Sequence, residues 1–564
     1  MAKRKSTPRT RSGCRTCKVR RVKCDEQRPS CRRCLDTGRA CDGYGIWGQP
    51  KSTRLLPSPV YPLRALPGLA EEERRCLDRF RVLLTDRLTR PFGSHFWSSL
   101  VLQLSLSEPA VLHASIALTS AYDSFAPAQI RQDVAMVAPT PFLLRQYNYA
   151  IRALLANDAL RSAASVRVAA VSCILFICLE ILRGDLDAMQ VHFAAGIKLL
   201  HQLQRQGHIL ATTTDTVLVK RDPELFDDHL IEVFARLNLQ FLMLGHGPQQ
   251  KEAFVPSFRY ARDSHLPRRF SAVDEARQSL NPILLSVMHL VMQVELLTRS
   301  THAHPLPPSA AMLEEQKALQ AAVKDWIASC DNSMQSAFAS VVRQQRLALL
   351  MLRTYADVAV ILLSTCFTVK ETAYDAHLPV FKSIIQRYSD AHSTDYPLLS
   401  DTCEPDPTFM IDTGLFPPLY FTALKCRNHT ARHQALAILR QYVHMEGPWT
   451  GPMLARVAGH VVSIEEKHFG DILPKATTST AVSMVLPEFS RVYCVECKLP
   501  AQRHQGSNIA SLTLRRFRHE LGSAASWRID KCTVDLSSQV TKSDVSLKFA
   551  YGVTPLSASS HALR

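Results

Sequence analysis

The sequence predicts a small cysteine-rich module followed by a large all-α domain. Six of the 16 cysteines fall within residues 14–41, apolar residues recur at helical spacing from about residue 69 onward, and strand-like runs are scarce. With 564 residues, 46% of them hydrophobic, the chain is long and apolar enough for a substantial core. This composition excludes a wholly disordered, collagenous or small disulfide-rich protein.

Composition divides the chain into five segments. Residues 1–13 are a basic arm, 14–41 the cysteine block, 42–68 a Gly- and Pro-rich linker, 69–522 the all-α domain and 523–564 a loosely ordered tail. The first 45 residues hold 14 lysines and arginines against four aspartates and glutamates, so they contribute +10 of the net charge of +17. A charge concentrated in this way favours a polyanionic partner, either nucleic acid or an anionic membrane surface.

The cysteine block is a duplicated unit. Each half has the spacing C-x2-C-x6-C, and each cysteine of the second half lies 17 positions after its counterpart in the first half. Thiolates at this spacing suit tetrahedral zinc, which is the usual redox-silent ion for soft ligands. Two such ions need eight ligand positions, and six cysteines supply eight only if two of them bridge both metals. The symmetric choice of bridges is Cys14 and Cys31. The six expected ligands are Cys14, Cys17, Cys24, Cys31, Cys34 and Cys41.

Two other arrangements of the cysteine block remain open from spacing alone. The cysteines could form disulfides, or a single zinc could use the four thiolates of the two C-x2-C pairs, which leaves Cys24 and Cys41 unexplained. The chain begins MAKRKS, where basic residues are followed by polar residues and not by an apolar stretch, so no secretory signal is visible. We therefore expect a reducing compartment, which disfavours disulfides.

The block CRTCKVRRVKCDEQRPSCRRCLDTGRAC closely resembles the fungal zinc binuclear cluster (Zn2Cys6) DNA-binding domain. The shared features are the cysteine spacing, the basic run before the third cysteine, Asp25 directly after it, and Pro29 in the loop between the halves. The resemblance implies two Zn2+ ions per chain, a nuclear location, and recognition of CGG-like half-sites in the major groove of double-stranded DNA. It implies a transcription factor that regulates RNA polymerase II genes.

The basic residues of the block are unevenly divided between its halves. The first half has five basic and no acidic side chains between its cysteines, whereas the second has three basic side chains and Asp36, so the first half is expected to face the DNA. The resemblance assigns base recognition to Arg21, assisted by Arg20, and arginine can form a bidentate contact with guanine. The expected phosphate contacts, which position the module without carrying sequence information, are Arg15, Lys18 and Lys23.

Three further motifs have weaker interpretations. Lys3, Arg4 and Lys5 form a nuclear-import candidate, with a disordered basic tail as the alternative. Residues 43–48 contain a G-x-G-x-x-G pattern, but no strand precedes it, so we interpret it as a flexible exit from the module. The lone C-x2-C pair at Cys494 and Cys497 is interpreted as buried thiols.

The region from residue 69 onward is expected to be a bundle of amphipathic and buried helices. One apolar stripe predicts a single helix beginning at Leu186, after a turn at Gly184, and Ser107 is expected to cap another helix. The stripe consists of Leu186, Met189, Phe193, Ile197 and Leu200. The longest uncharged apolar runs have 12 residues, fewer than the roughly 20 that span a bilayer, so they are interpreted as core helices and no membrane partner is expected.

Residues 95–118, 173–200 and 414–439 resemble the fungal-specific transcription-factor regulatory domain, which is helical. The resemblance implies control of a metabolic or secondary-metabolite gene set and contact with the transcription machinery or co-regulators. The amphipathic helix at 69–88 is too short for a coiled coil, which leaves a homodimer open. The sequence lacks G-x-S-x-G, Walker and H-E-x-x-H motifs, so no enzyme is expected. The alternative hypothesis is a zinc-containing scaffold or metal-regulated enzyme whose cysteine block binds a protein partner.

Overall fold

The computed structural model describes most of the helical region and part of the cysteine block. In the block it describes residues 14, 16–17, 20, 22–25, 27, 31–37 and 41. Beyond the block it describes residues 68–89, 92–130, 140–156, 162–207, 211–213, 216–220, 223–244, 258–260, 266–300, 307–336, 343–393, 409–412, 414–442, 444–470, 486–500, 508–518 and 526–536.

The first half of the described chain is helical apart from one small sheet. The elements are α1 (Arg32–Leu35), α2 (Glu71–Arg79) continued by a π-helical turn (Phe80–Leu84) and α3 (Thr85–Arg87), a π-helical turn (Phe96–Val101) continued by α4 (Leu102–Ser107), α5 (Pro109–Ile130), α6 (Pro141–Ala156), α7 (Ala163–Arg183), α8 (Leu186–Arg205), β1 (Ala211–Thr213), β2 (Thr216–Val219), α9 (Phe226–Met243) and β3 (Phe258–Tyr260).

The second half adds seven helices and two further sheets among the residues described. The elements are α10 (Val273–Ser300), α11 (Ala310–Ser336), α12 (Arg343–Thr365), a 3-10 helix (Glu371–His377), α13 (Leu378–Ser393), β4 (Phe409–Met410), α14 (Phe416–Lys425), α15 (His429–Gln441), β5 (Met445–Glu446), β6 (Trp449–Thr450), α16 (Gly451–Gly470), a 3-10 turn (Glu488–Ser490), β7 (Cys494–Lys498), β8 (Ile509–Arg518) and β9 (Ser526–Asp535). A small cysteine module followed by a mostly helical region confirms the predicted fold class.

The predicted turn between α7 and α8 is present. Gly184 ends α7 with a φ of +73°, a left-handed conformation that glycine adopts without strain. Asp185 then starts α8, since its Oδ1 accepts a hydrogen bond of 3.0 Å from the backbone N–H of Ala188. Four of the five residues in the predicted stripe are buried, and the fifth, Ile197, packs half-buried against the same core.

Ser107 does not have its predicted role. It is the last residue of α4, and its hydroxyl donates to the carbonyl of Leu104, at 3.4 Å, instead of accepting a hydrogen bond from the next helix. Glu108 occupies the position before Pro109, where α5 begins. The proline therefore does lie at the start of the helix, as expected, but the serine is one position too early to cap it.

The expected loosely ordered tail from residue 523 contains a strand. Ser526–Asp535 forms β9, which pairs antiparallel with β8 in the sheet order β7-β8-β9. The buried faces of these strands belong to the main apolar core, which also includes Val534 and Leu536. The ordered region therefore continues past 522, while residues 537–564 lie outside the described part of the chain.

The main core joins the helices into one body of buried apolar side chains that runs from Phe80 to Leu536. The helix predicted at residues 69–88 is part of this body, because Phe80, Leu84 and Leu88 are buried in it. Leu77 is buried in a smaller neighbouring cluster with Cys76 and Ile116. Its Arg87 donates a hydrogen bond of 2.8 Å to the hydroxyl of Tyr122 in α5. The apolar face of this helix is therefore covered by the protein's own helices.

Three helices are long and apolar enough to cross a membrane by length and composition alone. They are Ala163–Arg183, Val273–Thr298 and Leu347–Thr365, and 94%, 50% and 72% of their most apolar stretches are buried inside the protein. The first contains the whole apolar run of residues 168–179, and the third contains residues 358–365 of the run 358–369; both runs were interpreted as core helices. In the structure α7 is buried on nearly every side, in agreement with that interpretation.

Candidate metal centre and nucleic-acid interface

The two halves of the cysteine block repeat the same hydrogen bonds. The backbone N–H of Cys14 donates to Cys24 Sγ at 3.3 Å, and that of Cys31 donates to Cys41 Sγ at 3.5 Å. Within each C-x2-C pair the second backbone N–H donates to the first sulfur, at 3.4 Å in the first half and 3.3 Å in the second. The duplication in sequence is therefore a duplication in structure, with N–H groups directed at sulfurs that become anionic on binding a metal.

The six sulfurs form two overlapping groups of four. One group contains Cys14, Cys17, Cys24 and Cys31, and the other contains Cys14, Cys31, Cys34 and Cys41. Cys14 and Cys31 are the two members shared by both groups, as predicted for bridging ligands. Their sulfurs lie 3.6 Å apart.

The distances between the sulfurs suit tetrahedral zinc. Sulfurs bound to one zinc at about 2.3 Å lie about 3.8 Å from each other. In the structure Cys14 Sγ is 3.8 Å from Cys34 Sγ, and Cys17 Sγ is 3.6 Å from Cys31 Sγ. None of the six cysteines forms a disulfide, which disagrees with the disulfide alternative. The two groups of four also include Cys24 and Cys41, which the single-zinc alternative leaves unused.

The thiols need a cation to become ligands. Burial raises the pKa of Cys14, Cys17 and Cys31. Thiolates at these positions therefore require a nearby positive charge, which zinc provides. The six cysteines accordingly fit two Zn2+ ions, and the metals supply the rigid centre that a module of this size cannot obtain from an apolar core.

Asp25 connects the two halves of the module. Its Oδ2 accepts a hydrogen bond of 3.0 Å from the backbone N–H of Arg32, the first residue of α1. Desolvation opposes ionisation of this carboxyl, but backbone N–H groups, chiefly that of Arg32, lower its pKa. An ionised Asp25 thus holds the end of the first half against the start of the helix in the second half.

The structure describes two of the five predicted DNA-contacting residues. Lys23 is exposed. Arg20 is half-buried, and its Nη1 donates a hydrogen bond of 3.0 Å to Thr37 Oγ1 in the second half. Nothing in the spacing of Thr37 from Arg20 indicates this contact in the sequence. The other predicted DNA contacts, Arg15, Lys18 and Arg21, and the import candidate Lys3, Arg4 and Lys5 lie outside the described residues.

Residues 12–46 match the family of fungal Zn(2)-Cys(6) binuclear cluster domains, and the match contains all six cysteines. The chain carries a Zn(2)-Cys(6) binuclear cluster domain. That domain binds two zinc ions, in agreement with the two groups of sulfurs.

Relatives extend the similarity into the helical region. The aspercryptin biosynthesis cluster-specific transcription regulator of Emericella nidulans is 24% identical over 82% of this chain and 88% of its own length. The transcription regulator lscL of Purpureocillium lilacinum is 26% identical over 39% of this chain and 55% of its own length. A Zn(2)-C6 fungal-type transcription factor of Aspergillus fumigatus, afumD, is 36% identical over 20% of this chain and 32% of its own length. No solved structure matches this chain.

The Zn(2)-Cys(6) domain and these relatives establish the class of protein. It is a zinc-binding, DNA-binding transcription regulator and not an enzyme. When bound, zinc holds the fold of the module together, and the protein side chains make the contacts with DNA.

The remaining sequence motifs have structural roles or lie outside the described residues. Cys497 is buried in β7, as predicted, and Cys494 is half-buried with its thiol 3.4 Å from Glu295 Oε1. The G-x-G-x-x-G pattern at 43–48 lies outside the described residues.

Proposed function

We propose that this regulator recognises CGG-like half-sites in double-stranded DNA through the first half of its Zn(2)-Cys(6) domain. The observation that carries the proposal is the sharing of Cys14 and Cys31 by both groups of sulfurs, because it fixes the two halves to one two-metal frame. The basic run between Cys17 and Cys24 is held at both ends by ligands of one group. A positively charged segment on so rigid a frame suits entry into the major groove.

Within this run, Arg20 and Arg21 are the proposed base-contacting residues. An arginine donates two parallel hydrogen bonds to guanine O6 and N7, which suits a G-rich half-site. Arg20 already has an acceptor in Thr37 at 3.0 Å, so it contacts DNA by exchanging that hydrogen bond for one to a base. Lys23, exposed beside Cys24, is a proposed phosphate contact together with Arg15 and Lys18.

The relatives support a more specific biological role. One of them is named as the regulator of a biosynthesis cluster, and it aligns with most of both chains. We propose on this basis that the protein acts in the nucleus, with Lys3, Arg4 and Lys5 as its import signal, and controls RNA polymerase II transcription of a secondary-metabolite gene set. The helical region, with its extensive core, is the proposed regulatory part that contacts co-regulators or a second copy of the chain.

The experiment that tests base recognition is a binding-site selection with the full-length protein, followed by affinity measurements on the selected and on random DNA. We expect CGG-like half-sites to be enriched. Arg21→Ala should lower discrimination between the two DNAs by about 1 to 3 kcal/mol. Lys23→Ala is the matched control, since it should weaken binding to both DNAs equally and reduce the slope of affinity against salt by about one. Equal losses on both DNAs for Arg21→Ala would contradict the proposal.

A further inference from the structure

A second group of metal-binding side chains lies in the helical region, far along the chain from the cysteine block. It consists of His429 and His433 at the start of α15 and Glu466 near the end of α16. One ligand atom from each of the three residues lies within 4.8 Å of those of the others.

The local sequence explains why the two histidines share a face. The side chain of Asn428 accepts a hydrogen bond of 3.1 Å from the N–H of Ala431, which makes His429 the first residue of the helix. Residues four apart lie on the same side of a helix, and the two imidazole rings are 4.3 Å apart between centroids. Helix geometry alone therefore places both rings beside each other.

Both rings face one oxygen of Glu466. His429 Nδ1 and His433 Nε2 each lie 3.3 Å from Glu466 Oε2. This separation is long for a charge-assisted hydrogen bond, which is about 2.7 to 2.9 Å. Two atoms bound to one tetrahedral zinc at about 2.05 Å lie about 3.3 Å apart, so both distances match the edges of a zinc site.

The other oxygen of Glu466, Oε1, contacts the guanidinium group of Arg432. Arg432 Nη1 lies 3.4 Å from Glu466 Oε1, which turns Oε2 toward the histidines. The charge of Arg432 is itself balanced by Glu465, whose Oε2 accepts a hydrogen bond of 2.5 Å from Arg432 Nη2, with both side chains fully buried. Such an orienting partner behind a carboxylate ligand is the usual arrangement around protein-bound metals.

The group is also accessible. The His429 side chain is 60% exposed, whereas those of His433 and Glu466 are 18% and 22% exposed. An ion can therefore enter from solvent and keep water as its remaining ligand. Two imidazoles and one carboxylate suit zinc better than magnesium or calcium, which prefer all-oxygen sites.

We infer that His429, His433 and Glu466 form a binding site for a divalent transition-metal ion, with Zn2+ as the expected occupant. The ion would join the start of α15 to the end of α16. Binding would therefore stabilise the helical region when zinc is plentiful, independently of the two zinc ions of the cysteine block.

The first test counts bound zinc. Full-length protein with its cysteine block loaded is dialysed to equilibrium against buffered micromolar free zinc, and the metal content per chain is measured. We expect three zinc ions in the wild type and two in the His433→Gln and Glu466→Gln variants. His460→Gln is the matched control, because it changes a histidine of the same helix α16 outside the group, and it should retain three.

A second measurement remains decisive if the variants are less stable. The thermal unfolding midpoint of the helical region is recorded with and without added zinc, and DNA binding is recorded for each variant. We expect zinc to raise the midpoint of the wild type and of His460→Gln but not of Glu466→Gln, while DNA binding stays unchanged in all three. A wild type that binds only two ions, or a Glu466→Gln variant that responds to zinc as the wild type does, would overturn the inference.

Discussion

Cys14 Sγ lies 3.6 Å from Cys31 Sγ, and these two sulfurs belong to both groups of four that the cysteine block forms. In a two-zinc cluster each shared cysteine would therefore contact both metals, whereas each of the other four would contact one. This asymmetry among six chemically identical residues leads to different consequences when they are replaced.

Cys14→Ser should abolish both zinc sites, because it removes a ligand from each group. Cys24→Ser removes a ligand from one group only and should leave the other ion bound more strongly than in Cys14→Ser. Substitution with Co2+ allows the sites to be counted from the thiolate-to-cobalt absorption, which histidine and carboxylate sites do not produce. Equal cobalt-thiolate absorption in the two variants would show that Cys14 is not a bridge.

The contact between Arg20 and Thr37 gives a test of how Arg20 acts. Thr37→Val removes the hydroxyl that accepts the 3.0 Å hydrogen bond. If Arg20 contacts a base, as we propose, the variant should keep its preference for the selected DNA, because Arg20 merely loses a competing partner. Arg20→Ala should lower that preference by about 1 to 3 kcal/mol.

The control for this pair is Lys23→Ala, which should weaken binding to selected and random DNA alike. Affinities for both DNAs are measured with the full-length protein. Should Thr37→Val reduce discrimination as much as Arg20→Ala does, Arg20 would be a residue that positions the second half of the module and not one that contacts bases.

The cysteine block could be predicted in detail because its geometry depends on ligand spacing within 28 residues. The proposed bridging role of Cys14 and Cys31 follows from counting ligands, and the structure places both residues in each group of four sulfurs. The predicted apolar stripe starting at Leu186 also depends only on nearby residues, since the spacing of apolar residues within one helix is enough to predict which face is buried. Predictions of this kind succeed where the deciding contacts lie close together along the chain.

Features that depend on distant segments were not predictable in the same way. Strand β9 contains four charged residues among ten, and its sequence alone indicates a polar tail. Its order comes from pairing with β8, where Leu514 is opposite Asp530, and from apolar contacts with the helical core. Likewise, His433 and Glu466 are separated by 33 positions, so their proximity depends on how α15 and α16 pack.

Residue 414 is a glycine whose neighbour, the buried carboxylate of Glu446, leaves no room for a side chain. Glu446, fully buried, accepts backbone hydrogen bonds from Leu415 at 2.5 Å and Phe416 at 2.9 Å at the start of α14. A Cβ on residue 414 would lie 2.0 Å from the carboxyl carbon of Glu446. Gly414→Ala must therefore displace this carboxylate from its donors.

We expect Gly414→Ala to lower the free energy of unfolding by about 2 kcal/mol or more, since a buried charge loses hydrogen bonds. Urea denaturation followed by far-UV circular dichroism measures the change. Gly459→Ala is the matched control, because the nearest atom to a Cβ at that position, Arg440 Nη2, is 3.9 Å away and the residue lies inside α16. It should stabilise the protein by up to about 1 kcal/mol. Equal effects of the two substitutions would contradict the role assigned to Gly414.

Glu232 in α9 should contribute a pH-dependent part of the stability. Burial alone would raise its pKa, but the charge of Arg236, the nearby ring of His229, whose Nδ1 lies 3.8 Å from Glu232 Oε2, and the charge of Arg277 outweigh burial and lower the pKa to about 2. The ordinary value is 4.5. Because the pKa is lower in the folded protein, the carboxylate stabilises the fold above about pH 4.5, and this contribution is lost as the pH falls toward 2.

Glu232→Gln should therefore lower the free energy of unfolding at neutral pH, by an amount on the order of 3 kcal/mol. The difference between the variant and the wild type should shrink as the pH is lowered from about 5 to about 3, because protonation progressively removes the same charge from the wild type. Urea denaturation at each pH measures both proteins. Glu314→Gln, which changes an exposed carboxylate on α11 paired with Lys317, is the control and should leave the pH dependence unchanged. A constant difference between Glu232→Gln and the wild type across this range would mean that the ionisation of Glu232 is not coupled to folding.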